Sequence, residues 1–447
     1  MAKGGGSWVA MNKILPGAYI NFVSHPRAMA TVGTRGIVAG LLNLPWGKQG
    51  EIITIDAREF QTNALRLLGF SFVDPEMLYV RELFLGARLL KFFRPTGGSA
   101  ATAEIGNLSL QALYNGERGN DIQVAIEEDI DDPGFYFVIT KIYDGGGYIE
   151  VDEQRVQTLD QLTANDFVIF CQATGATELT LMETAGVSLH SGTNATITGG
   201  QHSNFLELIE KEAFTTVFFS GKDAVTKGLY AAFTKRLRDA EGYKVTCVLH
   251  DYARADHEGI ISVLNEVDNE DNPAALVYWV AGRQAGCEIN QSLTNRRYNG
   301  TLPIKAGFSQ RELEAAILGG QFVLYGDRGG FRVLRDINSF TTIHPNKNRD
   351  FQFNQVIRVL DEIGNSVARI FNDWYLGLTQ NNDIGRTLLR ADLIDYMEQL
   401  QAMEAVENFT PDDITIGPGR EKGDVLCDMF AQPVIAMEKL YMTVRVV

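Results

Sequence analysis

Apolar and polar residues alternate one by one through the last ten positions of the chain. In 438–447, EKLYMTVRVV, Leu440, Met442, Val444 and Val446 fall on one face, and Tyr441, Thr443 and Arg445 on the other. A period of two predicts a strand with one face meant for burial. A terminus frays unless something ties it down, and this stretch is apolar to its last residue. Such a strand needs a sheet edge, in its own subunit or in a neighbour. A second alternation sits near the other end, with Ala18, Ile20 and Phe22 against Tyr19 and Asn21. Pro16 at its entry suits an edge position, where a missing N–H costs no ladder bond.

Between these arms the pattern predicts layered α/β structure. Gly36 to Leu42 is a buried strand, Asp56 caps a helix to about Leu68, and 89–93 is a strand stopped by Pro95. From 96 the grammar turns to β. Residues 121–127 alternate, 135–142 and 167–171 are aromatic and β-branched, and the turns between are rich in Gly and Asp. From 200 the α/β grammar returns. Strand 216–220, helix 223–240 and strand 244–250 read as a βαβ unit with a parallel sheet. A helix near 256–266 and a strand at 275–281 are expected next, then helix 310–318 and short strands at 321–325 and 331–335. Ile357, Leu360, Ile363, Val367, Ile370 and Trp374 recur every three or four residues and predict a helix over 351–376. A second helix is expected over 384–403, and strands near 412–416 and 424–430. The expected fold is α/β (α+β). A mixed α/β core is built from two segments, 28–95 and 200–435; 96–199 is a β-rich insertion, and 1–27 and 436–447 are strand arms.

Charge sharpens the boundary of the insertion. The chain carries a net −16, and 96–199 alone hold 16 acids against 3 bases. The remainder is nearly neutral. The insertion therefore reads as a solvated, outward-facing domain, and the overall sign argues against nucleic-acid binding. No run of 18 apolar residues occurs, so no helical membrane insertion is expected. Cys171, Cys247, Cys287 and Cys427 are far apart in sequence and read as reduced core thiols.

Chemistry is sparse. Gly221-Lys222 lies between a strand and a helix, but a phosphate loop needs Gly at 216 and Ser or Thr at 223, where Thr216 and Asp223 stand. His250, Asp251 and His257 lack the spacing of a metal site and read as a surface loop. No catalytic residue, cofactor or metal is expected.

Three stretches carry a family resemblance. They are FQFNQVIRVLDEI running on to Asn381-Asn382-Asp383-Ile384-Gly385-Arg386, then Asp412-Asp413-Ile414, and Ala436 to Val444 at the end. Together with Leu15-Pro16-Gly17-Ala18-Tyr19-Ile20 and Tyr114-Asn115-Gly116-Glu117-Arg118-Gly119-Asn120-Asp121, they resemble contractile tail sheath proteins. These belong to long contractile-tailed phages, defective prophages and R-type bacteriocins. The resemblance implies a structural subunit and not an enzyme. It implies a homo-oligomer of stacked hexameric rings, forming a helical tube around an inner tail tube protein, with baseplate and tail terminator partners. Contraction would drive the inner tube through a target envelope. Assembly would occur in the bacterial host cytoplasm, and the subunit would then reside in a virion or phage-tail-like particle. It also implies that the arms, with Ala18, Ile20, Phe22, Leu440, Met442, Val444 and Val446, are exchanged between subunits as added strands. A core helix would touch the inner tube, which makes Arg386 and Arg390, four apart, candidate contacts. The alternatives are a type VI-like secretion sheath and an α/β enzyme without a recognisable site.

Overall fold

The structure, a computed structural model, describes residues 35–176, 178–305 and 307–446, with the backbone of two short strands, Gly4–Gly6 and Gly17–Tyr19. Two compact units emerge. The larger is Gly33–Asn365 with Pro433–Val447, and the smaller is Met1–Val32 with Ser366–Gln432.

The larger unit is organised on a seven-stranded sheet. Its spatial order is Gln321–Phe322, Ile260–Val263, Thr246–His250, Thr216–Phe219, Ile37–Leu41, Leu89–Phe93 and Ile52–Asp56. Only the last of these runs antiparallel to its neighbour. Parallel strands are covered on both faces, so they are apolar at nearly every position. Neighbouring residues accordingly serve two different cores. Val38, Phe218 and Val248 pack with helices Ala57–Leu68, Leu78–Phe84 and Leu276–Gly286, whereas Ala39, Val217 and Cys247 pack with Gly199–Ile209 and Ala224–Lys235.

Local chemistry fixes the helix ends. The Asp56 carboxylate accepts from Glu59 N at 2.7 Å, and the helix stops at Gly69, whose φ of +82° suits glycine. Ser309 and Glu312 form a reciprocal capping box for Gln310–Leu318.

Two expected elements are interchanged. Residues 260–263 form a strand and 276–286 a helix, the reverse of the sequence reading. The helix is buried from Leu276 through Ala281 without a break. An apolar run with no polar face carries no period, so pattern alone cannot separate a buried helix from a buried strand. The helix packs so closely on the Leu78–Phe84 segment that a side chain at Gly282 or Gly286 would strike the carbonyls of Leu83 or Gly86.

The insertion is a sandwich of two antiparallel sheets. One has the order Tyr148–Val156, Tyr136–Tyr143, Ile122–Glu128, Thr184–Ser188; the other Val168–Gln172, Leu108–Ala112, Thr102–Ile105. Val124, Ile126, Val138, Leu108, Leu110 and Val168 fill the space between. The acid excess has a structural use at the edge strand Tyr148–Val156. Exposed Glu150 and Glu153 and a bulge at 150–152 discourage edge-to-edge pairing.

The sandwich is riveted to the α/β layer. Trp46, fully buried, stacks on Phe167 and meets Tyr114 edge-on. The buried Arg94 guanidinium donates to Leu44 O at 2.6 Å, Gly47 O at 2.5 Å and Asn115 O. Burial pulls its pKa down to about 10. Three carbonyls of two layers thus share one cation. Arg94→Met strands them, and each buried unsatisfied group costs roughly 1–3 kcal/mol. The expected result is a lower urea midpoint with faster hydrogen exchange at Leu44, Trp46, Gly47 and Asn115. An unchanged midpoint would show that the arginine is not the rivet.

Candidate assembly surface

The C-terminal stretch is anchored at its root and bare beyond it. Ala436 N donates to Gln355 Oε1 at 3.1 Å. The Glu438 carboxylate accepts from Arg335 Nε at 2.7 Å and from Thr294 Oγ1 at 3.0 Å. Arg335 lies over the Phe353 ring at 4.5 Å, and the Glu438 side chain is only 14% exposed. Two residues later Leu440 is 85% exposed, followed by Met442 at 74%, Val444 at 72% and Val446 at 94%. Residues 439–446 have no ladder partner among the described residues. The sequence reading expected a strand with one buried face, whereas in the single chain both faces are open. A strand's hydrogen bonds belong to a pair, and the other member is not supplied here. Of the N-terminal positions, Ala18 lies in Gly17–Tyr19, which pairs in parallel with Gly4–Gly6; Ile20 and Phe22 lie outside the described residues.

The smaller unit carries the second surface. Helix Asp383–Ala402 starts where the Asn382 side chain accepts from Gly385 N at 2.9 Å. Leu389, Leu393, Tyr396, Met397 and Leu400 form its buried stripe. The hairpin Ile414–Pro418 with Val425–Met429 is a two-stranded sheet whose outer edges are unpaired among the described residues. Arg386 and Arg390 do share a helix side, but both are engaged within their own chain. Arg386 donates to Asn381 Oδ1 at 2.8 Å and pairs with Asp383. Arg390 donates to Ile414 O at 2.8 Å and to Pro411 O. They tie the helix to flanking loops. The exposed side holds Ile384 (73%) and Leu388 (54%) instead, followed by Ala391, Asp395 and Glu398. An apolar i,i+4 pair on a stripe that otherwise holds a small residue and two carboxylates was the readable signal.

The remaining chemical candidates resolve into structure. Gly221-Lys222 is a βα turn in which Asp223 caps the next helix by accepting from Thr226 N at 2.7 Å, filling the place an anion would take. His250 and His257 are buried rather than exposed in a surface loop, because His250 ends the core strand Thr246–His250 and His257 lies just before the core strand Ile260–Val263. Asp239, His257 and Glu258 converge as three potential metal ligands. However, His257 Nδ1 accepts from Gly259 N at 3.0 Å, which places the proton of the neutral ring on Nε2, donating to Asp239 at 3.0 Å. The nitrogen that faces the carboxylates is a donor, so the set does not suit a cation. Cys247 and Cys287 are buried, and burial pushes the Cys247 thiol up to about 12. Cys171 and Cys427 are exposed, contrary to expectation, because they sit on outer strands of the sandwich and the hairpin.

Comparison with known proteins gives a consistent result. The families described as phage tail sheath protein beta-sandwich domain, phage tail sheath protein central domain and phage tail sheath C-terminal domain match residues 96–200, 195–339 and 346–447. The phage-like element PBSX protein XkdK of Bacillus subtilis is 31% identical, across 99% of this chain and 100% of the relative. The crystal structure of a sheath tail protein from Desulfitobacterium hafniense is 37% identical, covering 94% of this chain and 98% of that one, with a TM-score of 0.84. The helical sheath of the anti-feeding prophage in its contracted state shares the fold at a TM-score of 0.56 and 12% identity, covering 97% of this chain and 99% of that one.

Proposed function

The chain belongs to the phage tail sheath protein family, and we propose that it polymerises as a helical tube of stacked rings around an inner tail tube, contracting to drive that tube through a cell envelope. The observation that carries this reading is the C-terminal stretch, rooted by Glu438 and apolar yet uncovered from Leu440 to Val446. Added to a neighbour's open sheet edge, it would bury its side chains and satisfy its backbone at once. The unpaired edges of hairpin 414–429 are such an acceptor. A head-to-tail contact of this kind does not close on itself and propagates as a filament. The energy of contraction is then a difference in interface packing, needing no nucleotide. The N-terminal arm at Ala18, Ile20 and Phe22 joins the same mesh, and baseplate and terminator proteins bound the tube. The particle is a virion tail or a phage-tail-like device assembled in a bacterial host.

The inner-tube contact is assigned to the exposed stripe at Ile384 and Leu388, held in place by Arg386 and Arg390. Electron microscopy of the purified chain should show long hollow tubes, and discrete particles would contradict the reading. The double variant Ile384→Glu, Leu388→Glu should still give tubes but lose co-sedimentation with the inner tube protein by tenfold or more, about 1.4 kcal/mol. Undiminished co-sedimentation would move the contact elsewhere.

A further inference from the structure

We propose that Glu438 is the fixed root of the C-terminal arm, so that the arm pivots at Lys439 and passes the pull of a neighbouring subunit into the core through Arg335 and Thr294. The proposal rests on the exchange of the arm between subunits and adds where the moving part begins.

The geometry changes abruptly at this residue. Glu438 is held by two hydrogen bonds, one of them an ion pair, and two residues before it the backbone is bonded to Gln355. Immediately after it, Lys439 and Leu440 are exposed. The partners of Glu438 are themselves fixed. Arg335 is stacked on Phe353. Thr294 Oγ1, besides donating to Glu438, accepts from Asp336 N at 3.0 Å. Asp336 in turn binds Arg358 Nη2 at 2.8 Å and Asn354 Nδ2 at 2.8 Å, side chains of helix Asn354–Trp374. A tension on the arm therefore reaches a buried polar network in two steps. An arm with a loose root would instead lengthen under load, because an unanchored chain extends by about 3.3 Å per residue before it transmits anything.

Glu438 is in this account a positioning residue; the apolar side chains beyond it make the contact. Its loss changes the reach and entropy of the arm rather than the surface it presents, since ordering each further residue costs backbone freedom on assembly.

The test uses the full chain kept dilute enough to remain unassembled. Trypsin cleaves after Lys439 only when several residues on both sides adopt its extended site. The anchored root denies it the upstream side. Glu438→Ala should raise the rate of cleavage after Lys439, read as peptide 440–445 because trypsin also cuts after exposed Arg445, about tenfold, and Glu438→Gln, which keeps an acceptor in place, by much less. Arg335→Met leaves the arm's own sequence untouched and should match the alanine variant. Both Glu438→Ala and Arg335→Met should raise the concentration needed for tube assembly about tenfold, with an unchanged far-ultraviolet spectrum. If Glu438→Ala fails to fold, Arg335→Met carries the test alone. Wild-type cleavage and wild-type assembly in these variants would overturn the root while leaving arm exchange standing, provided that deletion of 439–447 abolishes tubes. Normal tubes from that deletion would overturn arm exchange and the root together.

Discussion

Deletion of residues 439–447 leaves a folded subunit that no longer builds tubes. The cut falls after Glu438, so the ion pair with Arg335 is kept and the larger unit loses none of its core. What is lost is exposed in the single chain: Leu440, Met442, Val444 and Val446. Each such side chain contributes roughly 1.5–3 kcal/mol when fully buried. Since about 1.4 kcal/mol is tenfold in an association constant, losing four moves assembly out of any practical concentration range. Val444→Asp should act in the same direction, because a buried charge without a partner is costly. Arg445→Ser, on the alternate face, should matter less. Sedimentation reads the tubes and circular dichroism the fold. A deletion protein that still sediments as tubes contradicts arm exchange, and one that is unfolded returns the strand to its own subunit.

The second large effect is expected at Asp336 and Arg358. Both are buried, and Asp336 accepts from Arg358, Gln284, Asn354 and the backbone of Leu293. Removing one member of a buried pair costs about 3–5 kcal/mol, because the other charge is left uncompensated. Asp336→Ala should therefore populate an unfolded chain, read as a urea midpoint lowered by more than any surface change. Burial alone would raise the Asp336 pKa, but the Arg358 charge and the hydrogen bonds outweigh it and the net shift is downward. A carboxyl depressed in the folded state adds stability at pH values above its unfolded pKa, about 3.9. That stability is lost as pH falls through the folded value. The wild type should thus lose stability below about pH 4 more steeply than Asp336→Asn, and parallel acid curves would exclude the linkage.

Legibility of the fold tracked amphipathicity. The helix capped by Asp56, the helix Gln310–Leu318 and the strand Leu89–Phe93 fall where the pattern placed them, because a cap residue or a clean period marks each. The swap at 260–286 came from residues buried on every side, where the polar half of the signal is missing. Four sandwich strands went unread: Tyr148–Val156 because charged and exposed side chains hide its alternation, and Thr102–Ile105, Leu108–Ala112 and Thr184–Ser188 because they are short and hold few aromatic or β-branched residues. The small unit around Ser366–Gln432 was folded into the second core segment of the sequence reading, since a compact unit is a property of contacts and not of composition. Among assembly residues, the apolar ladder from Leu440 to Val446 was visible as a period of two. The Glu438 root was not, because Arg335 and Thr294 lie more than a hundred residues away in sequence. Arg386 and Arg390 looked free although their partners are near in sequence. Their partners include the Ile414 and Pro411 carbonyls, which no side-chain pattern announces.

The most direct measurement is a helical reconstruction, by electron cryomicroscopy, of tubes grown from the purified full chain. The account predicts continuous density for 440–446 hydrogen-bonded into the sheet of a neighbouring subunit, with Glu438 still on Arg335 of its own. Tubes in which 440–446 fold back onto their own subunit, or a protein that forms no tubes, would contradict it.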